Sequence, residues 1–488
     1  MNKKIFKNYI YNFISQILVL IVPLITTPYI SRVLHEIGVG QYSYSLSIIT
    51  YFSLFANLGF TIYGQREIAK VKDNKELMSK TFFEIFVIRS CTTICSLIVL
   101  FSILFTCGFG DKYNTLILIL SLQVFSVIFD LSFLYQGIED FQSIAIRTII
   151  VRIVMIICIF LFVKTENDLS KYALYISLSQ LLGILIMWPK LFKIVSIPHC
   201  KLEIKKHLRP AIMIFLPTLA VTIYSVFDKT MIGLLSKNPD YDNGCYEQAY
   251  KINSVALLLC TVIVPIFVSR NSVVYGDKNI EQLKNNISFV ANYNWLIGVP
   301  LLYGFIALSH NLSAWFLGDG YSSAPLLMMI MSVRFIVSSF SELFGSQYFI
   351  ICGKEKYVTL SAVFAAIINV LLNLVLIPFY GAIGAAIATA LSELAITLIQ
   401  GFFIYKEKVI SLRSIFKMSI NYIIAGTIMF IPIYFMGKMF PYNFLSFFII
   451  ALVGVLIYFF ILLLLRDKFI IRSIKFFFSS FKRKEKNI

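Results

Sequence analysis

The chain has 488 residues, 59% hydrophobic and only 14% charged, with a mean hydropathy of +0.83 and a formal charge of +18. A water-soluble protein would carry nearer a quarter charged residues, so the soluble classes are excluded, and nucleic acid is not an expected partner despite the basic balance. Apolar runs of about 20 residues recur along the whole length, long enough to cross a ~30 Å hydrocarbon core as helices. Lipid offers no partner to unpaired backbone groups, so a spanning chain is helical or a closed barrel. These runs are continuously apolar rather than alternating, which selects helices: an all-α polytopic membrane protein. Eight cysteines are scattered with no CxxC, and the four histidines show no metal-ligand spacing. The cysteines read as small core residues, and no metal site or catalytic set is expected.

In chain order, about fourteen spans are expected. The first two, 11–33 and 41–63, follow "MNKKIFKNYIYNF", which shows no cleavage signal and is expected to stay as the first span. Span one holds Pro23 and Pro28 around two threonines, which permits bending, and has Arg32 at its outer end. Spans 82–106 and 114–136 bring Arg89 and Asp130; spans 144–163 and 171–190 bring Arg152. The seventh, 211–235, holds Pro217 and the adjacent Asp228 and Lys229, and the eighth, 247–269, holds Lys251 and Pro265. Spans 289–309 and 323–350 follow, the latter with Arg334 and Glu342. Spans 357–378 and 381–404 come next; the second opens "GAIGAAIATALSE", a small-residue face suited to close helix contact, and includes Glu393. Spans 415–436 and 444–465 precede a basic tail, "FKRKEKNI".

Most Lys and Arg fall in alternate loops and at the termini, which by the positive-inside rule places both termini in the cytoplasm and accounts for most of the charge. The tail reads as a positive-inside anchor. An internal echo joins "GVGQYSYSLSI", Gly38 to Ile48, to "NGCYEQAYKI", Asn243 to Ile252, each with Gly-x-Tyr. It suggests two six-span lobes, 1–200 and 201–410, related by an axis along the membrane normal, with two further helices and the tail over 411–488.

Ionisable groups inside spans cost roughly 2.5–3.5 kcal/mol each and usually face a bundle interior or a watery cavity. Asp228 and Lys229 point about 100° apart, so each needs another partner or water. Lys229 can snorkel, whereas Asp228 is too short. Basic groups outnumber acidic ones among the embedded charges, which fits either interhelical ion pairs or a cavity of positive potential that concentrates anions; arginine suits phosphate oxygens.

"PLITTPYISRVLHEIGVGQYSYSLSIITYFSLFANLGFTIYGQREIA", Pro23 to Ala69, resembles the opening of bacterial polysaccharide repeat-unit (O-antigen and capsule) flippases of the multidrug/oligosaccharidyl-lipid/polysaccharide exporter superfamily. "FLYQGIEDF", Phe133 to Phe141, and "FDKTMIGLLSKNPDYDNGCYEQAYKI", Phe227 to Ile252, resemble its turn after span four and the start of its second half. His35-Glu36-Ile37 departs from the small residues usual after "RVL". The resemblance implies a V-shaped bundle of two six-helix lobes, like that of multidrug exporters, plus two C-terminal helices flanking a groove for a lipid tail. It implies alternating access in the bacterial cytoplasmic membrane and a cargo of oligosaccharide linked by pyrophosphate to undecaprenol. Carried onto this chain, it makes Arg32, Arg89, Lys229, Lys251 and Arg334 the walls of a cationic cavity. Asp228, Glu342 and Glu393 are candidates to pair with them or to bind a coupling cation, proton or sodium; no other cofactor is implied. The implied partners are the lipid-linked oligosaccharide, the bilayer and other polysaccharide-assembly membrane proteins, with the chain working as a monomer.

The alternatives are a lipid II flippase, a multidrug/cation antiporter, a membrane polymerase or glycosyltransferase, and a non-transporting scaffold. A drug antiporter would favour acidic groups over this basic surplus. An enzyme would need an extracytoplasmic loop larger than the longest here, roughly 236–246.

Overall fold

A computed structural model describes residues 3–198 and 201–472, except the side chains of 3–21, 216–218, 220, 221 and 223–225. The basic tail therefore lies outside the described residues, as does the side chain of Pro217. The described chain is helices and short connections, and twelve of its helices are long and apolar enough to cross a membrane. This is an all-α, multi-pass membrane protein. It divides into two compact units, Met1–Glu247 and Gln248–Ile488.

Unit 1 holds α1 (Lys3–Asn57), α2 (Phe60–Val71), α3 (Lys75–Thr106), α4 (Asp111–Phe129), α5 (Ser132–Gly137), α6 (Phe141–Phe162), α7 (Leu169–Leu185), α8 (Trp188–Ile194) and α9 (Leu208–Leu235). At 1.5 Å per residue, a straight α1 would run roughly 80 Å, far beyond one membrane crossing. It is instead two helices broken at His35, whose φ of 53° and ψ of −179° are not helical. The expected spans one and two correspond to its halves, and the departing segment His35-Glu36-Ile37 lies at the break.

Unit 2 begins inside α10 (Pro239–Thr261). It continues with α11 (Val264–Gly276), α12 (Ile280–Phe316), α13 (Ala324–Met331), α14 (Arg334–Phe344), α15 (Glu355–Tyr380), α16 (Ala382–Glu407), α17 (Leu412–Met439) and α18 (Phe444–Leu464). The small-residue face expected near 381 is real: Ala382, Gly384, Ala385, Ala386, Ala388 and Ser392 are buried along α16, which packs on α15.

Several expected spans are interrupted helices. Span four breaks at Asp130, between α4 and α5; span eight breaks before Pro265; span ten breaks between Met331 and Arg334. Each break frees backbone N–H and C=O groups that need partners. At Pro265 the missing N–H explains it. At Asp130 the partner is a cation, described below.

The packing inverts the soluble pattern. In α18 the buried residues are Ser446, Ile450, Gly454, Tyr458 and Leu462, one every four residues. Its Phe444, Leu445, Leu452, Leu456 and Phe460 are exposed. A stripe at this spacing is one helix ridge; the small and polar residues Ser446, Gly454 and Tyr458 share it with Ile450 and Leu462, while the large apolar side chains of the other faces point outward, as lipid demands. The cysteines correct a sequence expectation: Cys245 and Cys260 are buried, but Cys91 and Cys95 on α3 and Cys107 at its C-terminal cap are exposed.

Candidate functional site

In unit 1, both members of the adjacent pair on α9 find separate partners at the start of α10. The Tyr246 hydroxyl donates to Asp228 Oδ2 at 2.5 Å. Lys229 Nζ lies 2.5 Å from Glu247 Oε2, which also accepts from Ser43 Oγ at 3.1 Å. Asn243 Nδ2 donates to the Lys229 carbonyl at 3.0 Å. Asp228 is only 2% exposed. Consecutive side chains diverge on a helix, so consecutive residues of α10 serve them one each. The second Gly-x-Tyr segment thus supplies the partners of both charges.

The two echoed segments also meet directly. A Cβ at Gly40 would fall 1.7 Å from the Asp240 carbonyl oxygen, and one at Gly244 would fall 1.9 Å from the Glu36 carbonyl oxygen. Each glycine lies four residues beyond the carbonyl its counterpart meets, so the contact is reciprocal. Beside it, Asp240 accepts from Tyr113 Oη at 2.5 Å and Gln41 Nε2 at 3.2 Å, and pairs with Lys112 at 2.8 Å.

In unit 2, Arg334 Nε donates to Glu393 Oε1 at 2.8 Å, the Ser338 hydroxyl donates to Glu393 Oε2, and the guanidinium sits 4.9 Å from the centre of the Tyr250 ring. Both charged residues are buried. Arg334 opens α14 immediately after the break in span ten, and Glu393 projects from the small-residue stretch of α16. Lys251 is half-buried, and Glu342 is exposed and accepts from Ser346 Oγ at 2.7 Å.

Two expected cavity residues stand elsewhere in unit 1. Arg32 is exposed. Arg89 is fully buried: its Nη2 donates to the carbonyls of Ile128, at 3.4 Å, and Asp130, and its guanidinium lies 4.9 Å from the Phe133 ring centre. A cation on the last carbonyls of a helix satisfies orphaned acceptors and the helix dipole. Arg89 therefore holds the end of α4 and offers no surface to a passage in this structure. Sequence reasoning missed Tyr246, Glu247, Tyr250 and Ser338; the first three lay inside the quoted echo.

Two cavities add to this. In unit 1, one of about 280 Å³ is lined by Thr50, Ser53, Asn57, Thr61, Thr222 and Asp130, with Leu54 and Val127. In unit 2, one of about 430 Å³ is lined almost wholly by apolar side chains of α12, α17 and α18, among them Pro300, Leu301, Met429, Gly454 and Val455.

Comparison with known proteins locates this architecture. The family described as polysaccharide biosynthesis protein matches residues 5–270. The chain belongs to that family. Its members include the flippases that the opening segment resembles. A provisionally named O-antigen transporter of Escherichia coli (strain K12) is 23% identical over 414 residues, covering 83% of this chain and 97% of that protein. Among solved structures, the lipid II flippase MurJ in an inward closed conformation superposes with a TM-score of 0.72 at 17% identity, covering 95% of this chain and 99% of MurJ. An inward-facing multidrug resistance MATE transporter gives 0.62 at 15%, covering 82% and 99%. The fold is that of these two transporters.

Proposed function

We propose that the chain is a flippase that carries undecaprenyl-pyrophosphate-linked oligosaccharide repeat units across the bacterial cytoplasmic membrane for surface polysaccharide synthesis. The observation that carries this reading is the family match over residues 5–270; the name and near-complete coverage of the E. coli relative point to O-antigen as the class of cargo. The chemistry of the interior agrees. A sugar head needs hydrated polar walls, a pyrophosphate needs Lys and Arg, and a polyprenyl tail needs an apolar groove. The two halves of α1 and the long helix α9, added to the other membrane-length helices, make fourteen spans, with both termini cytoplasmic. The lobes are 1–200 and 201–410, followed by the two extra helices and tail of 411–488.

On this reading Lys229, Lys251 and Arg334, with Arg32 at the mouth, attract the pyrophosphate. In the structure Lys229 and Arg334 are held by Glu247 and Glu393, so cargo binding exchanges a protein carboxylate for a phosphate oxygen. Asp228, Glu342 and Glu393 are the carboxylates we assign to pairing with these cations or to a coupling proton or sodium. The apolar cavity against α17 and α18 suits the polyprenyl tail.

Deleting the gene in a polysaccharide-producing host tests this. Single lipid-linked repeat units accumulating on the cytoplasmic face support it; units accumulating outside would indicate a polymerase. Lys229→Ala and Arg334→Ala are expected to reduce export while the protein stays in the membrane. The MurJ superposition favours one second reading, a lipid II flippase. Rescue of a MurJ-depleted strain by this chain would favour it over the first.

A further inference from the structure

The small cavity of unit 1 gathers polar atoms with hydrogen-bonding capacity to spare, and the charges of Arg89 and Arg147 act on its Asp130 carboxylate from behind. Asp130 stands at the break after α4. Its Oδ1 accepts from the backbone N–H of Ser132 at 3.0 Å and from the Ser132 hydroxyl, while Oδ2 accepts from no donor among the described residues. Asn57 Oδ1 accepts from Thr61 Oγ1 at 2.9 Å, which fixes the amide and leaves its NH₂ without an acceptor among the described residues. The Ser53 hydroxyl makes no hydrogen bond among the described residues. Leu54 and Val127 supply apolar surface beside them.

A sugar hydroxyl both donates and accepts, so a site for vicinal hydroxyls needs acceptors and donors side by side. A carboxylate oxygen, an amide NH₂ and a hydroxyl provide that, and apolar side chains cover the C–H face of a pyranose. The lining contains no Lys or Arg, which counts against pyrophosphate. It contains one carboxylate, too few acidic ligands to favour a divalent ion. At about 280 Å³ it sits near the lower end of the ~300–1,000 Å³ usual for small-molecule sites, a size for one or two sugar rings rather than a polyprenyl chain.

We infer that this cavity is a sugar subsite, in which Asp130, Asn57 and Ser53 hydrogen-bond hydroxyl groups of the glycan head, apart from the groups that hold its pyrophosphate. The inference rests on the flippase reading for the source of the sugar. Arg89 serves the site as a positioning residue: its grip on the Ile128 and Asp130 carbonyls holds the break that presents the Asp130 carboxylate.

The test compares two ligands on the purified full chain in lipid nanodiscs: undecaprenyl pyrophosphate bearing the repeat unit extracted from the source strain, and undecaprenyl pyrophosphate without sugar. Asp130→Asn and Ser53→Ala together are expected to weaken the glycan-bearing lipid about tenfold and to leave the sugar-free lipid unchanged, with an unaltered melting temperature. Asn57→Leu, which obstructs the cavity from a partly exposed position, is expected to do the same and serves if the double variant melts early. If the variants bind both lipids as the wild type does, or lose both equally, the subsite is wrong while the flippase reading stands. If the wild type binds neither lipid, the flippase reading itself fails. If sodium binds the wild type, and Asp130→Asn abolishes that without changing glycan affinity, the cavity is a cation site and the inference is overturned.

Discussion

Each unit sets an embedded basic residue opposite a buried glutamate, and the two solve the desolvation problem differently. In unit 2 the pair is closed: Arg334 and Glu393 face each other, the serine and tyrosine beside them complete the cluster, and the side chains are 9% and 8% exposed. In unit 1 the pair is more open. Lys229 is 16% exposed and reaches Glu247, while its neighbour Asp228 is served separately by a neutral phenol. A buried pair gains little over apolar packing, but breaking one strands a charge. A base with a path to water loses less when its partner goes. The closed pair is therefore built for fixed geometry, and the more open one for exchange.

Substitutions sharpen that contrast. The largest effect is expected from Glu393→Ala, which leaves Arg334 buried without its carboxylate and costs about 3–5 kcal/mol, read as a large drop in the melting temperature of the detergent-purified protein. Glu247→Ala is expected to cost less, about 1.5–3 kcal/mol, because Lys229 can turn toward water. Equal losses in the two variants would erase the distinction. Gly40→Ala places a methyl group against the Asp240 backbone and is expected to cost about 1–3 kcal/mol; Gly244→Ala should match it if the reciprocal crossing is the reason. Tyr246→Phe removes one hydrogen bond to Asp228, worth about 1 kcal/mol or somewhat more. The smallest stability change is expected from the double variant Arg334→Met with Glu393→Leu, near zero, and the same variant should lose export. Retained export would make the pair purely structural.

Much of this was legible in the sequence because hydropathy and length act locally. The span positions, the small-residue face of α16 and the presence of a partner for both Asp228 and Lys229 all follow from one segment at a time. The identity of those partners does not, because it depends on which helix lies opposite. Tyr246 and Glu247 lay inside the echoed segment, yet nothing local marks them as the recipients. Arg89 shows the limit most clearly. An arginine in an apolar run has the same local signature whether it meets a phosphate or the end of a neighbouring helix. The break after Phe129 that it caps carries no proline, so its position was unreadable, whereas Pro265 marked the break before α11 in advance. The outward-facing cysteines were misread for a related reason: a small apolar residue fits lipid as well as core.

The central claim is that this chain moves the glycan head of a lipid-linked repeat unit across a bilayer. It is tested most directly in proteoliposomes that contain the purified chain and lipid-linked repeat units, with a membrane-impermeant glycosidase added outside and the cleaved fraction followed over time. In protein-free vesicles cleavage should stop near the outer-leaflet half; with the chain present it should proceed toward completion, and Lys229→Ala and Arg334→Ala should slow it. Cleavage that stops at the protein-free level with the folded wild-type chain present, under both proton and sodium gradients, would contradict the account.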